Sequence, residues 1–290
     1  FVSFRYPSFL CLYKVPFIFG PVSGGDTIPM NLRKNFTLID KIKELLRDLS
    51  NYYIKISPLM NLTFARSHKI FVNSLDTKKI IPHRYNYKTE LMLGIGIEEL
   101  PNIKINNNID KKKIDICFVG NLTAPKGTEI LIKTFNEIKK YNDNVFLTVA
   151  GAGPMESSLK ITAKNLKIEN SILWLGQIKR KEVFELFKKS DLLIFPSLRD
   201  SGGFVILEAM SYGLVVATLD LGGPGLIVDN DCGIRITTHK KTLNEVIVEL
   251  SSSVNNLIKN KEIFNNKKIK SIERVKNFNW INKILKMYSA

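Results

Sequence analysis

Two acidic residues, Asp200 and Glu208, bracket a glycine pair in the stretch FPSLRDSGGFVILEAMSYG (195–213). The pattern predicts a strand ending at Pro196, a polar loop, and a short apolar helix from about Gly203 to Tyr212. Glycines at such a junction let a ligand come close to the backbone. The first N–H groups of the helix, with the positive end of its dipole, suit a diphosphate. Glu208 stands among Ile206, Leu207, Ala209 and Met210. A carboxylate there is costly unless it is hydrogen-bonded. Sugar hydroxyls would supply such bonds; so would a neighbouring backbone group or a lysine. Asp200 has the same two readings, a ligand contact or the N-cap of the helix.

A second stretch, FVGNLTAPKGTEIL (118–131), ends a strand at Gly120 and opens a helix after Lys126-Gly127. A lysine at a helix N-terminus adds a point charge to the dipole, which again suits phosphate. The glycine spacing, and the lack of Ser or Thr directly after the lysine, exclude a Walker motif. An ordinary surface lysine is the alternative. In VAGAGPMESSL (149–159), Gly151 and Gly153 follow a strand, but Glu156 stands where a dinucleotide fingerprint needs its third glycine. That turn predicts a tight strand-to-helix connection and argues against an NAD-dependent enzyme. Asp229-Asn230-Asp231 reads as a solvated turn before Gly233. His68, His83 and His239 are isolated, with no metal-ligand or triad arrangement.

These residues need a scaffold, and the sequence supplies one. Strands are predicted at 114–119, 145–150, 171–175, 191–196 and 214–218. Helices are expected between them at about 127–140, 155–166, 180–189 and 203–212. Strands apolar throughout and separated by helices indicate a parallel sheet covered on both faces, hence a doubly wound α/β fold. Upstream, VPFIF (15–19) and KIFVN (69–73) read as strands. Residues 38–49 read as a helix with Leu38, Ile42, Leu45, Leu46 and Leu49 on one face. The last segment, 258–290, reads as helical, with Trp280, Ile284, Leu285 and Tyr288 as its apolar side.

The 290 residues allow two domains, and 44% hydrophobic with 24% charged residues is ordinary for a globular protein. The net charge of +16 is spread over Lys- and Asn-rich stretches such as Lys111-Lys112-Lys113. Most of it reads as solvated surface; the functional alternative is attraction to nucleotides or anionic lipid. No nucleic-acid motif accompanies it. Three scattered cysteines suggest a reducing, cytoplasmic setting. The chain starts at Phe1, and residues 1–20 carry Arg5, Pro7, Lys14 and Pro16, which fits neither a spanning helix nor a signal peptide. They are expected to be the interior of a domain whose beginning is absent.

Taken together, GNLTAPKG, GAGPMESSL, LWLGQI, FPSLRDSGGFVILEAMSYGLVVAT and LDLGGPG resemble the family 4 glycosyltransferases over about 110–229. VPFIFGPVSGGDTIP (15–29) is similar to an acceptor-side segment of one branch. The resemblance implies a GT-B fold of two facing Rossmann-like domains. The expected division is an incomplete N-terminal acceptor-side domain (1–95), a linker (96–113), a C-terminal donor-binding domain (114–270) and a returning helix (271–290). It implies retaining transfer of a sugar from a UDP- or GDP-linked donor to a glycan or lipid-linked acceptor, with no obligatory metal or other cofactor. Glu208 would hold the ribose hydroxyls, and Asp200, where many relatives carry Glu, would touch the donor sugar. Lys126, Gly202 and Gly203 would hold the diphosphate and stabilise the departing charge. Gly120, Ser201 and Phe204 would complete the donor cradle, and Gly176 and Gln177 would line the base. Asn121 stands where the family has an arginine, and an amide cannot replace a bidentate cation. A catalytically impaired nucleotide-sugar-binding module is therefore the alternative. Cell-surface polysaccharide or glycolipid assembly is the expected setting, with peripheral contact at the inner face of the membrane.

Overall fold

The computed structural model describes residues 2–101 and 113–289. Most of the expected linker and the Lys111-Lys112 pair lie outside the described residues. The chain builds two parallel sheets. The first, in order β1-β2-β3-β4, comprises Val2–Ser3, Ile18–Ser23, Lys69–Val72 and Thr89–Leu91. Its helices are α1 (Leu38–Ile56), α2 (Pro58–Arg66) and α3 (Leu75–Ile80).

The second sheet holds β5 (Ile114–Val119), β6 (Val145–Ala150), β7 (Ile172–Gly176), β8 (Leu192–Phe195), β9 (Val215–Leu219) and β10 (Gly233–Ile236). Its helices are α4 (Thr128–Lys139), α5 (Glu156–Asn165), α6 (Arg180–Lys189), α7 (Phe204–Ser211), α8 (Gly222–Ile227), α9 (Leu243–Lys259) and α10 (Lys261–Lys276). The spatial order is β10-β9-β8-β5-β6-β7. From β5 the chain steps outward to β6 and β7, then returns to the other side of β5 and steps outward again through β8, β9 and β10. The reversal falls between β5 and β8, and open α/β sheets bind ligands beyond the carboxyl ends of the strands at such a point.

The strands explain their own burial. β8 and β9 are apolar or hydroxyl-bearing at every position and buried at every position, as central parallel strands covered by helices on both faces must be. Phe118, Phe135, Phe187, Phe195 and Phe264 fill the core around this sheet, and Phe4, Phe19 and Phe64 fill a separate one under the first sheet.

Three elements depart from expectation. The strand expected at 15–19 runs instead over Ile18–Ser23, because its pairing with β3 begins only at Ile18. The helix predicted at 38–49 extends to Ile56, capped by Thr37, whose hydroxyl accepts the Asp40 N–H. Its leucine face, however, points away from the protein. The single helical segment expected at 258–290 is divided at Asn260 and at 277–279. α10 packs on α7, α9 and β9, whereas α11 (Trp280–Tyr288) reaches the first half of the chain. There the Trp280 N–H donates to the Ile97 carbonyl at 3.1 Å, and Lys283 Nζ donates to the Leu93 and Ile95 carbonyls. Burial pushes the Lys283 ammonium down to about 8. The three cysteines are buried free thiols. Among the described residues, no helix is long and apolar enough to cross a membrane.

Candidate active site

The loops after β5 and β8 carry the residues singled out from sequence, and they meet over the reversal of the sheet. After β5 the backbone turns through Gly120, makes a tight turn at 124–126, and enters α4 through Gly127 at φ +67°. A Cβ on Gly127 would stand 1.9 Å from the Pro196 carbonyl oxygen, so only glycine lets the two loops approach this closely. The N–H groups of Leu198 and Arg199 seal the contact by donating to the Pro125 carbonyl.

Within this frame Lys126 Nζ lies 2.6 Å from Asp200 Oδ2, with both side chains largely buried. The other carboxylate oxygen of Asp200 accepts the Gly202 and Gly203 N–H groups at 3.0 and 2.9 Å. Asp200 thus closes the loop before α7 rather than serving as its N-cap, which is Gly203, and those two donors are occupied by protein. Gly203, at φ +77°, leads into α7, whose first N–H groups have no intrahelical partner. The loop rests on a second glycine pair that carries no chemistry of its own. A Cβ on Gly222 would meet the Asp200 carbonyl at 2.3 Å, and one on Gly223 the Gly202 carbonyl at 2.4 Å. Ser201 is half-buried and Gly202 buried in the same loop.

Glu208 finds a partner that the sequence did not suggest. Arg180, at the start of α6, donates through Nε and Nη2 to Glu208 Oε1 at 3.0 and 2.7 Å. Burial pushes the Glu208 carboxyl up, and the Arg180 bond offsets part of that. Arg180 is itself mostly exposed, and its guanidinium lies over the rings of Phe184 and Phe204 at 5.3 and 5.6 Å. It covers the outer side of the carboxylate. Its place in the run KRKEVFELFKK gave no signal, because one arginine among lysines reads as solvated surface.

The remaining candidates lie along the same carboxyl edge of the sheet. Gly120 N–H donates to the Ala150 carbonyl, and Gly151 N–H to the Gly176 carbonyl at 2.7 Å. Gly176, at φ +66°, has open space where a Cβ would be, and Gln177 beside it is exposed. Asn121 is exposed at the rim. A Cβ on Gly151 would meet the Gly120 carbonyl at 1.9 Å, and one on Gly153 the Leu122 carbonyl at 2.4 Å. Those glycines serve the close packing of two loops, as the tight-turn reading expected. Asp229 caps its own turn by accepting the Asp231 and Cys232 N–H groups, and the described residues contain no cluster of metal-ligating side chains.

The first half of the chain reaches this site through Arg199, the residue before Asp200. Its Nη1 lies 2.5 Å from the carboxylate of Glu44 on α1. Arg47, one turn further along α1, donates to the Gly24 and Asp26 carbonyls, and Arg5 donates to Gly24 as well. Burial, then the charges of Arg199 and Arg5, push the Arg47 guanidinium down to about 10. A cavity of about 700 Å³ opens between α1 and the 123–127 turn, lined in part by Phe36, Lys43, Glu44, Pro125, Met155 and Arg199. Neither Asp200 nor Glu208 lines it. The loops over the sheet reversal that carry Asp200 and Glu208 lie outside this cavity.

The family model for glycosyl transferases group 1 matches residues 101–268, more than half of the chain. The chain belongs to this family. An uncharacterised glycosyltransferase of Methanocaldococcus jannaschii is 30% identical over 154 residues, 53% of this chain and 39% of that protein. The α-monoglucosyldiacylglycerol synthase of Streptococcus pneumoniae is 25% identical over 60% of this chain and 35% of its own length. The chain thus spans well under half the length of these relatives. Among solved structures, the pneumococcal O-GlcNAc transferase GtfA in complex with UDP and GlcNAc superposes with a TM-score of 0.64 at 15% identity. The match covers 80% of this chain and 47% of that one. The fold is that of the GT-B glycosyltransferases.

Proposed function

We propose that this group 1 glycosyltransferase transfers a sugar with retention from a UDP- or GDP-linked donor to a lipid-linked or glycan acceptor. One observation carries the donor site: Lys126 after β5 and Asp200 after β8 meet at the amino end of α7, with Glu208 inside that helix. In this reading the diphosphate sits against the first N–H groups of α7 and draws Lys126 to itself, and Asp200 turns to the sugar. As the bond between the sugar and the diphosphate breaks, charge builds on the leaving group beside Lys126 and the helix dipole. Fixed positive charge placed there lowers the barrier without an obligatory metal. Arg180 yields Glu208 to the ribose hydroxyls, and Gly176 and Gln177 face the base.

The acceptor would enter from the side of α1. The pneumococcal synthase is named for a glucosylated diacylglycerol, which favours a lipid-linked acceptor and a peripheral place at the inner face of a membrane. The exposed Asn121, where the resemblance calls for arginine, favours the second reading of a module that binds nucleotide-sugar without turnover. A thermal-shift panel of UDP, GDP, ADP and their sugars tests the donor site, since a ligand that binds the folded state raises its melting point. One base should raise it selectively, and no response from any nucleotide would contradict the reading. Release of nucleotide from the selected sugar then separates the enzyme from the binding module.

A further inference from the structure

Each acid of the proposed donor site is matched by a cation. Lys126 pairs with Asp200 at 2.6 Å, and Arg180 pairs with Glu208 at 2.7 Å. The two pairs differ in how firmly they are held. Lys126 and Asp200 are both largely buried, and the second oxygen of Asp200 is fixed by two backbone N–H groups. Arg180 is 68% exposed and directs Nε and Nη2 at a single oxygen, Oε1, of Glu208. Its Nη1 has no hydrogen-bond partner among the described residues. A guanidinium binds most strongly when its fork meets two anionic oxygens. Aimed at one oxygen and open to solvent, this pair is easily exchanged.

The position of the guanidinium says more than its partner does. Phe204 and Glu208 stand four residues apart on one face of α7. Arg180 spans both, bonded to Glu208 and 5.6 Å from the centre of the Phe204 ring. Phe204 is the first residue of α7, where the proposed reading seats the diphosphate. On its other side the guanidinium lies 5.3 Å from the Phe184 ring, which stacks on Tyr212 at the end of α7. Two rings thus keep the cation beside the first turn of α7 whichever anion it meets. The loop after β5 brings one cation, Lys126, because Asn121 ends in a neutral amide. We propose that Arg180 is the second: as the ribose hydroxyls take Glu208, its guanidinium passes to the diphosphate and grips two of its oxygens. The incoming anion then breaks both ion pairs and collects both cations. This role rests on the donor site proposed above, and every residue in it belongs to the six-stranded half of the chain.

Calorimetric titration with UDP (GDP if the thermal-shift panel selects guanine) reads this at equilibrium, independently of turnover. Arg180→Ala should weaken binding about ten-fold or more, as loss of a charge-assisted grip does. Arg180→Lys keeps the charge without the fork and should lie between wild type and Arg180→Ala. Arg180→Ala/Asn121→Arg returns a guanidinium from the β5 loop and should bind within about three-fold of wild type. That rescue leaves Glu208 without Arg180, so it separates a grip on phosphate from support of the carboxylate. Without nucleotide, the melting temperatures of all four proteins should agree within about 1 °C, because an exposed pair adds little. A side chain that only covers Glu208 gives the opposite sign: Arg180→Ala would bind UDP as tightly as wild type or more tightly. That result overturns the inference, and so does a loss that Asn121→Arg fails to restore. If Glu208→Ala weakens UDP while Arg180→Ala does not, the donor site stands and the role of Arg180 falls. A wild-type chain that binds no nucleotide removes both.

Discussion

Helices α1 and α4 are both amphipathic, yet they seat on their domains by opposite faces. α4 buries Ile130, Leu131, Phe135 and Ile138 against its sheet and against α9. α1 buries Glu44, Asn51 and a single isoleucine, Ile54, and turns its leucines outward. Periodicity locates an apolar stripe on a helix; what that stripe faces depends on the partners the fold offers. α4 connects two strands of a complete six-stranded sheet, so a hydrophobic surface waits for it. α1 lies over the glycine loop at 24–26 and the loop at 199, whose carbonyls and arginine call for polar partners.

The contrast can be tested by truncation. Phe135→Ala should cost about 3–5 kcal/mol in urea unfolding, from lost burial and the cavity left behind. Leu45→Ala should change stability by no more than about 0.5 kcal/mol, as surface changes do. Comparable losses at both positions would place the α1 stripe inside a core. The polar side of α1 should behave as a core instead. Arg199→Ala leaves the Glu44 carboxylate buried without its partner and should cost about 3 kcal/mol. The double change with Glu44→Ala should recover part of that, and a double-mutant cycle reads the coupling directly.

Smaller effects belong to the proposed donor site. Glu208→Ala should weaken UDP-sugar binding by about 1.5–3 kcal/mol, the range for a hydrogen bond to a charged acceptor. Calorimetry that finds unchanged affinity would remove Glu208 from the site. The smallest effect is on pH dependence. Because the folded protein holds the Glu208 proton more tightly than the unfolded chain does, its contribution is fully present below the ordinary value of 4.5. It is lost as pH rises through the raised value. The stability of the wild type relative to Glu208→Gln should therefore be higher at pH 4 than at pH 7. A difference of the opposite sign would mean that Arg180 outweighs burial.

The six-stranded half of the chain was readable because its candidate chemistry and its punctuation coincide. Apolar strands ending at Gly120 and Pro196 placed Lys126 and Asp200 at loop tips, and the structure brings those two together. Sequence could not show that they would bond to each other, since 74 residues separate them and the pairing depends on β5 and β8 being neighbours. Arg180 was hidden for the same reason, its role existing only once α6 lies beside α7. The segment 219–257 was harder. β10 is four residues long and interrupted by Arg235, and α9 mixes β-branched residues with Ser251-Ser252-Ser253, which blurs the helical period. The glycines of LDLGGPG entered only through the family resemblance, and their support of the 200–203 loop appears only in the structure. In the first half of the chain the sequence placed the α1 leucines on one face but left open whether that face points outward or inward, because nothing in the pattern distinguishes the two.

A crystal structure of the chain with UDP bound bears directly on the donor site. The account predicts a phosphate oxygen within hydrogen-bond distance of the first N–H groups of α7, Lys126 moved from Asp200 to the diphosphate, and Glu208 exchanged from Arg180 to the ribose hydroxyls. UDP bound elsewhere, with the Lys126–Asp200 and Arg180–Glu208 pairs intact, would contradict it.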